Sequence, residues 1–288
     1  MNAAFRSLAV ATALAGVVAL AGCSTSSDSS ASAVAEDCEP AHEGLTTYTD
    51  GTLTVGVPEN LPYTQTEGTS ASGLEIDIVE KLAEAECLAL SYVSITYANG
   101  IPMISEQKKT DIISGGWYVT EARAEQVGFT SPTFYDSMGI ISSTGASTID
   151  ELETIGSVGS GAGFSWEADV SALLGSDLNV YPGTIEMKQD LESGRIDAAL
   201  DGYAVAVAAY ADTDFVVEQA EADERVAITT DKPRIAFPIA KENTALSDAF
   251  SELIDGYRED GTLADLLAKH DLPADLLVPA DEAATSIR

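Results

Sequence analysis

The stretch DIISGGWYVTEAR, residues 111–123, joins an apolar strand to a turn and then to the start of a helix. Its two isoleucines suit the interior of a buried strand, and the two glycines that follow let the backbone approach another group closely. Thr120 can cap a helix that carries Arg123 in its first turn and runs to Val127. The order therefore predicts a guanidinium beside free backbone N–H groups, an arrangement that suits a small carboxylate.

Arg123 also has a simpler interpretation, in which it pairs with Glu121 or Glu125 on the solvated face of the same helix. Exposed ion pairs of this kind contribute little to stability and indicate no binding site. The sequence on either side of the stretch therefore has to decide between the two interpretations.

Strands and helices alternate on both sides of residues 111–123. The first series is predicted as strand 52–57, helix 73–85, strand 89–96, helix 101–108 and strand 111–114. A segment of Ser, Thr and Gly at 142–150 precedes a second series, predicted as strand 155–158, turn 159–163, helix 166–174, strand 179–181, helix 185–193, strand 198–200, strand 234–240 and helices 245–257 and 263–269. Such alternation predicts an α/β fold of two lobes with a ligand cleft between them, at the strand ends.

The N-terminus carries one arginine, an apolar run over residues 8–20, and then Leu-Ala-Gly-Cys ending at Cys23. The run is too short to span a bilayer comfortably, and the last four residues resemble the lipobox of bacterial lipoproteins. We therefore expect residues 1–22 to be a signal peptide, Cys23 to be the acylated membrane anchor, and residues 23–44 to be a flexible tether. An ordinary secretory signal with a chance cysteine is the alternative.

Charge and cysteine content limit the partners and the compartment. Loss of residues 1–22 removes one arginine and no acid, which leaves 13 basic residues against 47 acidic ones and a net charge of −34. Repulsion by this charge excludes nucleic acid as a partner. Once Cys23 is acylated, Cys38 and Cys87 remain as an even pair in an oxidising compartment, which predicts a disulfide; two independent buried thiols are the alternative.

The order of these signals resembles the extracellular solute-binding proteins of bacterial ABC transporters, in the polar-amino-acid family. The similarity covers nearly all of residues 51–272, and it rests on the order and spacing of motifs that are weak one by one. The motifs are GTLTVGV at 51–57, LPY at 61–63, GLEID at 73–77, IP at 101–102, DIISGG at 111–116, TEAR at 120–123, FTSP at 129–132, LESGRIDA at 191–198 and DGTL at 260–263.

The resemblance implies a two-lobed periplasmic-binding-protein-like fold of type II, in which two parallel or mixed sheets are flanked by helices and joined by a two-strand hinge. Residues 45–141 plus 238–288 would form the first lobe, and residues 142–237 the second. Binding of a ligand would close the hinge.

The resemblance also assigns roles to residues of the first lobe. Arg123 matches an arginine that clamps the α-carboxylate of the ligand, and Gly116 matches a backbone position that contacts the same ligand. Tyr63 and Tyr97 match aromatic positions that pack on the ligand side chain, since a phenol ring offers an apolar face and a hydroxyl. Packing in the core is the alternative for both tyrosines.

The sequence departs from the family pattern at several of the expected ligand positions. Tyr118 stands where the family commonly has Thr or Ser, and Trp117 beside it is unusual. Gly161 and Ala162 stand where the family has a glycine followed by threonines, so that Ala162 offers only its backbone N–H. Asp201 falls one residue short of the aspartate that accepts the ligand's amino group, and a helix cap is its alternative role.

The resemblance implies a lipid-anchored extracellular subunit that captures a small zwitterion or carboxylate and delivers it to the permease of an ABC importer. A sensory protein that presents its ligand to a receptor kinase, and a cyclic-carboxylate dehydratase on the same fold, remain alternatives. His42 and His270 are the two histidines and neither lies in a cleft motif, so we predict no catalysis, no metal site and no cofactor. Aromatic residues near the motifs, Phe164 among them, predict a pocket wall that suits a flat or cationic group.

Overall fold

The computed structural model describes Val34 and residues 37–280. The predicted signal peptide, the predicted anchor at Cys23 and most of the predicted tether lie outside these residues. Within them, no helix is both long and apolar enough to cross a bilayer.

Strands and helices alternate along the described chain. Before the second lobe they are β1 Thr52–Val57, β2 Gln65–Glu67, β3 Ser70–Ser72, α1 Leu74–Ala85, β4 Ala89–Ser94, α2 Tyr97–Ser105, β5 Ile112–Ile113, α3 Glu121–Ala124, β6 Val127–Phe129 and β7 Phe134–Tyr135. The second lobe contains β8 Met138–Ser142, α4 Ile149–Ile155, β9 Val158–Gly161, α5 Glu167–Leu174, β10 Leu178–Tyr181, α6 Thr184–Glu192, β11 Ala198–Gly202, α7 Tyr203–Tyr210 and β12 Val216–Gln219. The chain then returns through β13 Arg234–Ile235, β14 Pro238–Ala240, α8 Thr244–Glu259 and α9 Thr262–Lys269.

Two five-stranded mixed sheets form the centres of the two lobes, as the resemblance implied. The first has the order β4-β1-β5-β14-β6, in which β14 runs antiparallel to β5 and β6. The second has the order β10-β9-β11-β8-β12, in which β8 runs antiparallel to β11 and β12. Each sheet therefore combines parallel strands from βαβ units with a strand that enters or leaves through the connection between the lobes.

The connection between the lobes is a two-stranded antiparallel pair. In this pair β7 lies beside β13, with Phe134 opposite Ile235 and Tyr135 opposite Arg234. The lobe boundary predicted between residues 141 and 142 falls inside β8, which pairs along its whole length in the second sheet. We therefore propose that the first crossing lies at β7 and not after residue 141.

A disulfide joins the N-terminal segment to the end of α1. The sulfur atoms of Cys38 and Cys87 are 2.01 Å apart, and the Cα atoms are 5.8 Å apart. The bond predicted from the cysteine count is thus present in the structure. A cross-link of this kind typically stabilises a fold by about 2–4 kcal/mol, mainly because it restricts the unfolded chain.

Three local elements differ from the sequence-based expectations. Helix α2 begins at Tyr97 instead of residue 101, because the Asn99 side chain accepts the Thr96 N–H at 2.8 Å and caps an earlier start. Helix α3 is a single turn that ends at Ala124, and Val127 already belongs to β6.

The predicted turn at 159–163 is instead largely strand β9, which runs to Gly161. Its glycines leave space for the packing of the neighbouring helix. A Cβ on Gly159 would lie 2.6 Å from Ile196 Cδ1 and 3.0 Å from Met187 Cγ. Gly159 therefore reflects close packing within a strand, where the sequence had suggested a turn.

Candidate functional site

A cavity lies between the lobes, where strands of both sheets end, and it encloses about 330 Å³, including space open to solvent. The first lobe and the connection between the lobes contribute Asn60, Tyr97, Gly116, Tyr118, Arg123 and Asp136, and the second lobe contributes Phe164, Ser165, Trp166, Asp201, Gly202 and Val205. We call this space the inner cavity. Its position at the carboxyl ends of parallel strands is the usual place for ligands in α/β proteins.

Arg123 provides the positive charge of the inner cavity. Its Nη1 donates to the Tyr118 carbonyl oxygen at 2.9 Å, and its Nη2 donates across the cleft to the Gly163 carbonyl oxygen at 3.1 Å. Within residues 37–280 no carboxylate pairs with it, so the solvated pairing with Glu121 or Glu125 does not form. Burial lowers the pKa of Arg123 to about 10, which still leaves the guanidinium charged at neutral pH.

Trp117 packs against the guanidinium of Arg123 and does not line the inner cavity. Its side chain is only 1% exposed, and its Nε1 donates to the Ser114 carbonyl oxygen at 2.9 Å. The Arg123 Cζ lies 4.7 Å from the centre of the indole ring, a cation–π contact. A Cβ on Gly100 would lie 2.7 Å from this ring, so the glycine leaves space for the indole beneath the guanidinium.

Tyr63 packs against the turn formed by Gly115 and Gly116, and it does not line the inner cavity either. It is 1% exposed, and a Cβ on Gly116 would lie 3.0 Å from its ring. Tyr97, by contrast, lines the inner cavity and donates its hydroxyl to the Gly115 carbonyl oxygen. Tyr97 is therefore a residue of the cavity surface, whereas Tyr63 packs beneath that surface, although both match aromatic ligand positions of the family.

Glu75 is a buried carboxylate that the sequence reasoning missed. Its Oε2 accepts the N–H groups of Gly115 at 2.5 Å and of Gly116 at 3.1 Å, so the Gly116 N–H expected to meet a ligand already has an acceptor. Burial raises the pKa of Glu75 to about 7. The sequence places this residue in the motif at residues 73–77 and assigns it no role.

Asp201 is a buried carboxylate that lines the same cavity as Arg123. It lies at the end of β11 and is 1% exposed. Its Oδ2 accepts the Thr184 hydroxyl at 2.6 Å, and its Oδ1 accepts the Gly202 N–H at 2.8 Å. Burial raises the pKa of Asp201 to about 7, and the charge of Asp136 adds to the increase. Asp201 is therefore a pocket residue, in addition to its contact with the start of α7.

Asp136 is a second buried carboxylate of the inner cavity, and it belongs to none of the sequence motifs. It follows β7, and its Oδ2 accepts the Tyr118 hydroxyl at 2.9 Å. A Cβ on Gly202 would lie 2.9 Å from Asp136 Oδ2, which places the carboxylate beside the end of β11. Burial raises the pKa of Asp136 to about 6. The Tyr118 ring thus replaces a short hydroxyl and connects the wall to Asp136.

In the second lobe the inner cavity is lined by residues that lie further along the chain than expected. Gly161 pairs with Tyr181 in the sheet, and the Ala162 N–H donates to the Tyr181 carbonyl oxygen at 2.8 Å. Neither Gly161 nor Ala162 lines the inner cavity, whereas Ser165 does. The Ser165 hydroxyl oxygen is buried and has no hydrogen-bond partner in the part of the chain that the structure describes. A hydroxyl donor expected to be lost is therefore present at a different position.

The lobes touch each other around the inner cavity. The rings of Tyr97 and Phe164 meet edge to face with centres 5.1 Å apart, and Trp166 lies 5.2 Å from Phe164. A Cβ on Gly163 would lie 2.8 Å from the Ala98 nitrogen, so the two backbones approach closely. Together with the Arg123 contact to Gly163, these distances define a closed arrangement of the lobes.

The chemistry of the inner cavity is one of binding. The cavity combines a guanidinium, a buried Ser165 hydroxyl without a partner among the described residues, and two buried carboxylates. Aromatic rings also line it. Among the described residues, no group of three or more His, Cys, Asp or Glu side chains is arranged to hold a metal ion.

Comparisons with known proteins agree with this fold. A substrate-binding protein of an ABC uptake transporter from Streptococcus pneumoniae with bound histidine superposes with a TM-score of 0.69, at 21% identity over 80% of this chain and 95% of that chain. The cysteine-binding protein from Campylobacter jejuni has a TM-score of 0.70, at 20% identity over 79% of this chain and 95% of that chain. The ancestral amino acid-binding protein AncCDT-1, a precursor of cyclohexadienyl dehydratase, has a TM-score of 0.67, at 23% identity over 76% and 95%.

At these identities the superpositions establish the two-lobed fold alone. No curated protein matches the chain in sequence. The sequence profile of the bacterial extracellular solute-binding proteins, family 3, matches residues 53–272, which is most of the chain. This protein belongs to the bacterial extracellular solute-binding proteins of family 3.

Proposed function

We propose that the protein captures an α-amino acid, or a closely related zwitterion, in the inner cavity and delivers it to the permease of an ABC importer. The observation that supports this proposal is the separation of charge within one small cavity. Arg123 lines the inner cavity together with the buried carboxylates Asp136 and Asp201, and among the described residues neither carboxylate forms an ion pair with it. We therefore infer that the two kinds of charge lie at separate ends of the cavity. A ligand with both a carboxylate and an ammonium group matches both ends.

The carboxylate of the ligand would bind at the Arg123 end. The guanidinium donates to carbonyl oxygens of Tyr118 and Gly163 and has no carboxylate partner within residues 37–280. The buried Ser165 hydroxyl offers a second donor at the same cavity. Charged hydrogen bonds of this kind are shorter and stronger than neutral ones, and burial strengthens them further.

The ammonium group of the ligand would bind at the Asp201 end. Each oxygen of Asp201 accepts one protein donor, and a carboxylate oxygen has a further lone pair for the ligand. Asp136 adds negative potential from the side. The bound histidine and the cysteine named for two superposed proteins are both zwitterions of this kind.

Closure of the two lobes would give the site its affinity. Ligand contacts with Arg123 from one lobe and with Ser165 and Asp201 from the other are made together only when the lobes meet. The ligand would therefore shift the population towards the closed arrangement, and reopening would release it.

We also propose that Cys23 carries a lipid that holds the protein on the outer face of the cell membrane. The support is the Leu-Ala-Gly-Cys sequence after the apolar run, together with a polar segment long enough to act as a tether. Replacement of Cys23 with Ser should move the protein from the membrane fraction to the medium or periplasm. Retention of that variant in the membrane fraction would contradict the anchor.

A thermal-shift screen of amino acids, betaines, polyamines and small carboxylates tests the binding function. A ligand at 100 times its Kd should raise the free energy of unfolding by about 2.7 kcal/mol. Zwitterions should give the largest shifts, and stabilisation by polyamines or simple carboxylates alone would contradict the charge assignment. Uptake of the labelled ligand in a deletion strain then separates transport from a sensory role.

A further inference from the structure

A second cavity lies next to the inner cavity and is also formed by both lobes. It encloses about 1130 Å³, including space open to solvent. The loop around Leu61 and the start of β2 form one side, and helices α6 and α7 form the other. We call this space the outer groove.

The outer groove and the inner cavity meet at two residues. Asn60 from the first lobe and Val205 from the second line both spaces. Asn60 is 6% exposed, and its Oδ1 has no hydrogen-bond partner in the described chain, while its Nδ2 donates to the Gly115 carbonyl oxygen at 3.0 Å. The junction therefore holds a buried acceptor that a passing ligand group can use.

Apolar atoms contribute most of the surface of the outer groove, and its lining also includes polar and acidic side chains, namely Glu59, Gln65, Thr184, Gln189 and Glu192. Leu61 and Ile185 face it from opposite lobes and are 49% and 55% exposed, and two alanines of α7 form its floor. The positive charge of Lys188 is already engaged, because its Nζ donates to the Ala209 carbonyl oxygen and lies 3.7 Å from a Glu192 carboxylate oxygen. The groove thus offers apolar surface from both lobes and no free cation among its lining residues.

We propose that the outer groove is a subsite for the side chain of the ligand, and that the preferred ligands are α-amino acids with long, mainly aliphatic side chains. This inference rests on the proposed function, since the α-carboxylate and α-ammonium groups must occupy the inner cavity. The α-carboxylate of the ligand then binds Arg123, and its α-ammonium group binds Asp201. The side chain extends between Asn60 and Val205 into the outer groove. Because Leu61 and Ile185 belong to different lobes, a long side chain would also hold the lobes together.

Calorimetric titration with glycine, L-alanine, L-norvaline, L-norleucine and L-2-aminooctanoate tests the subsite. Affinity should rise about fourfold for each methylene that enters the outer groove, as expected for burial of apolar surface. An affinity that is highest for alanine or norvaline and falls with further length would overturn the subsite while leaving the proposed function intact. If amino acids of every length fail to bind, the proposed function fails as well.

A substitution in the groove separates the subsite from a general effect on folding. Ala208→Trp places an indole in the outer groove, and it should weaken 2-aminooctanoate at least tenfold while leaving alanine unchanged. Val207→Trp is the matched control, because Val207 is 46% exposed on the same helix and lines neither cavity. Equal losses for long and short ligands, or equal losses in the two variants, would contradict the inference.

Discussion

The two charged ends of the inner cavity are built in different ways. The positive end is a single guanidinium, and its supports Trp117 and Tyr118 lie within six residues of it in the chain. The negative end joins Asp136 and Asp201, which belong to separate segments that meet because β8 and β11 are neighbours in the second sheet. One end is therefore specified by local sequence, and the other by sheet topology.

This difference has a consequence for the energetics of the two ends. Arg123 keeps its charge in spite of burial, whereas burial raises the pKa of Asp201 to about 7 and that of Asp136 to about 6. The positive end is thus ready for a carboxylate at any physiological pH. The negative end gains its full charge only above neutral pH or when an ammonium group is bound.

Removal of the positive end should have the largest effect. Arg123→Ala should lower the affinity roughly 10- to 150-fold, because a charged hydrogen bond contributes about 1.5–3 kcal/mol. Calorimetry with the ligand found in the screen measures the change. Arg195→Ala is the control, since Arg195 is an exposed arginine of the second lobe that pairs with Asp190. Unchanged binding in Arg123→Ala would refute the assignment of the carboxylate end.

Substitutions at the negative end decide which aspartate binds the ammonium group. Asp201→Asn should lower the affinity roughly 5- to 30-fold, since replacing a charged acceptor with a neutral one costs about 1–2 kcal/mol. Asp136→Asn should cost less, because its oxygens already accept the Tyr118 hydroxyl and the Ala204 N–H. A larger loss in Asp136→Asn would reverse the two roles. Asp212→Asn, at an exposed position of the same lobe, is the control.

The raised pKa values predict opposite effects of pH on stability and on binding. Glu75, Asp136 and Asp201 hold protons in the folded protein up to about pH 6–7, whereas in the unfolded chain they lose them near pH 4. The folded protein therefore binds more protons in this window, so the ligand-free protein should lose stability as pH rises from about 5 to 7. Binding of an ammonium group needs ionised Asp201, so affinity should rise over the same window, by at most about tenfold per pH unit.

Melting curves from pH 5 to 8, with and without ligand, measure both effects. The melting temperature of the ligand-free protein should fall while the shift caused by the ligand grows. In the Asp201→Asn variant, the shift caused by the ligand should change less with pH. The melting temperature of the ligand-free variant should still fall as the pH rises, because Glu75 and Asp136 remain. A ligand shift that stays constant or shrinks as the pH rises would show that the negative end does not bind a cation.

The sequence predicted the positive end well because its information is local. The run from the buried isoleucines through the glycine turn to Thr120 specifies both the position of Arg123 and the cap of its helix, and Thr120 Oγ1 accepts the Arg123 N–H at 3.2 Å. The sequence did not reveal which aromatic residues line the cavity and which are buried beneath its surface. Trp117 and Tyr63 have the residue types of ligand contacts, but they pack one layer below the cavity surface and support the residues that line it.

Asp136 and Ser165 could not be found from the sequence, each for its own physical reason. Asp136 reaches the cavity only because β7 leads the chain from one lobe to the other at that point. Ser165 was missed because β9 continues pairing with β10 to Gly161, and the Ala162 N–H extends this ladder, so the cavity is lined only from Phe164 onwards. The longer strand is enough to exchange a glycine and an alanine for a serine among the lining residues.

Ser165→Ala should have the smallest effect at the positive end, and it tests whether that end has a second donor. Loss of one neutral hydroxyl donor that contributes about 0.5–1 kcal/mol should weaken binding roughly two- to fivefold. The loss should nearly vanish in the Arg123→Ala background, because without the guanidinium the ligand carboxylate is no longer held beside the hydroxyl. Ser171→Ala on the exposed face of α5 is the control. If Ser165→Ala weakens binding equally in both backgrounds, the hydroxyl contacts another part of the ligand, and the positive end depends on Arg123 alone.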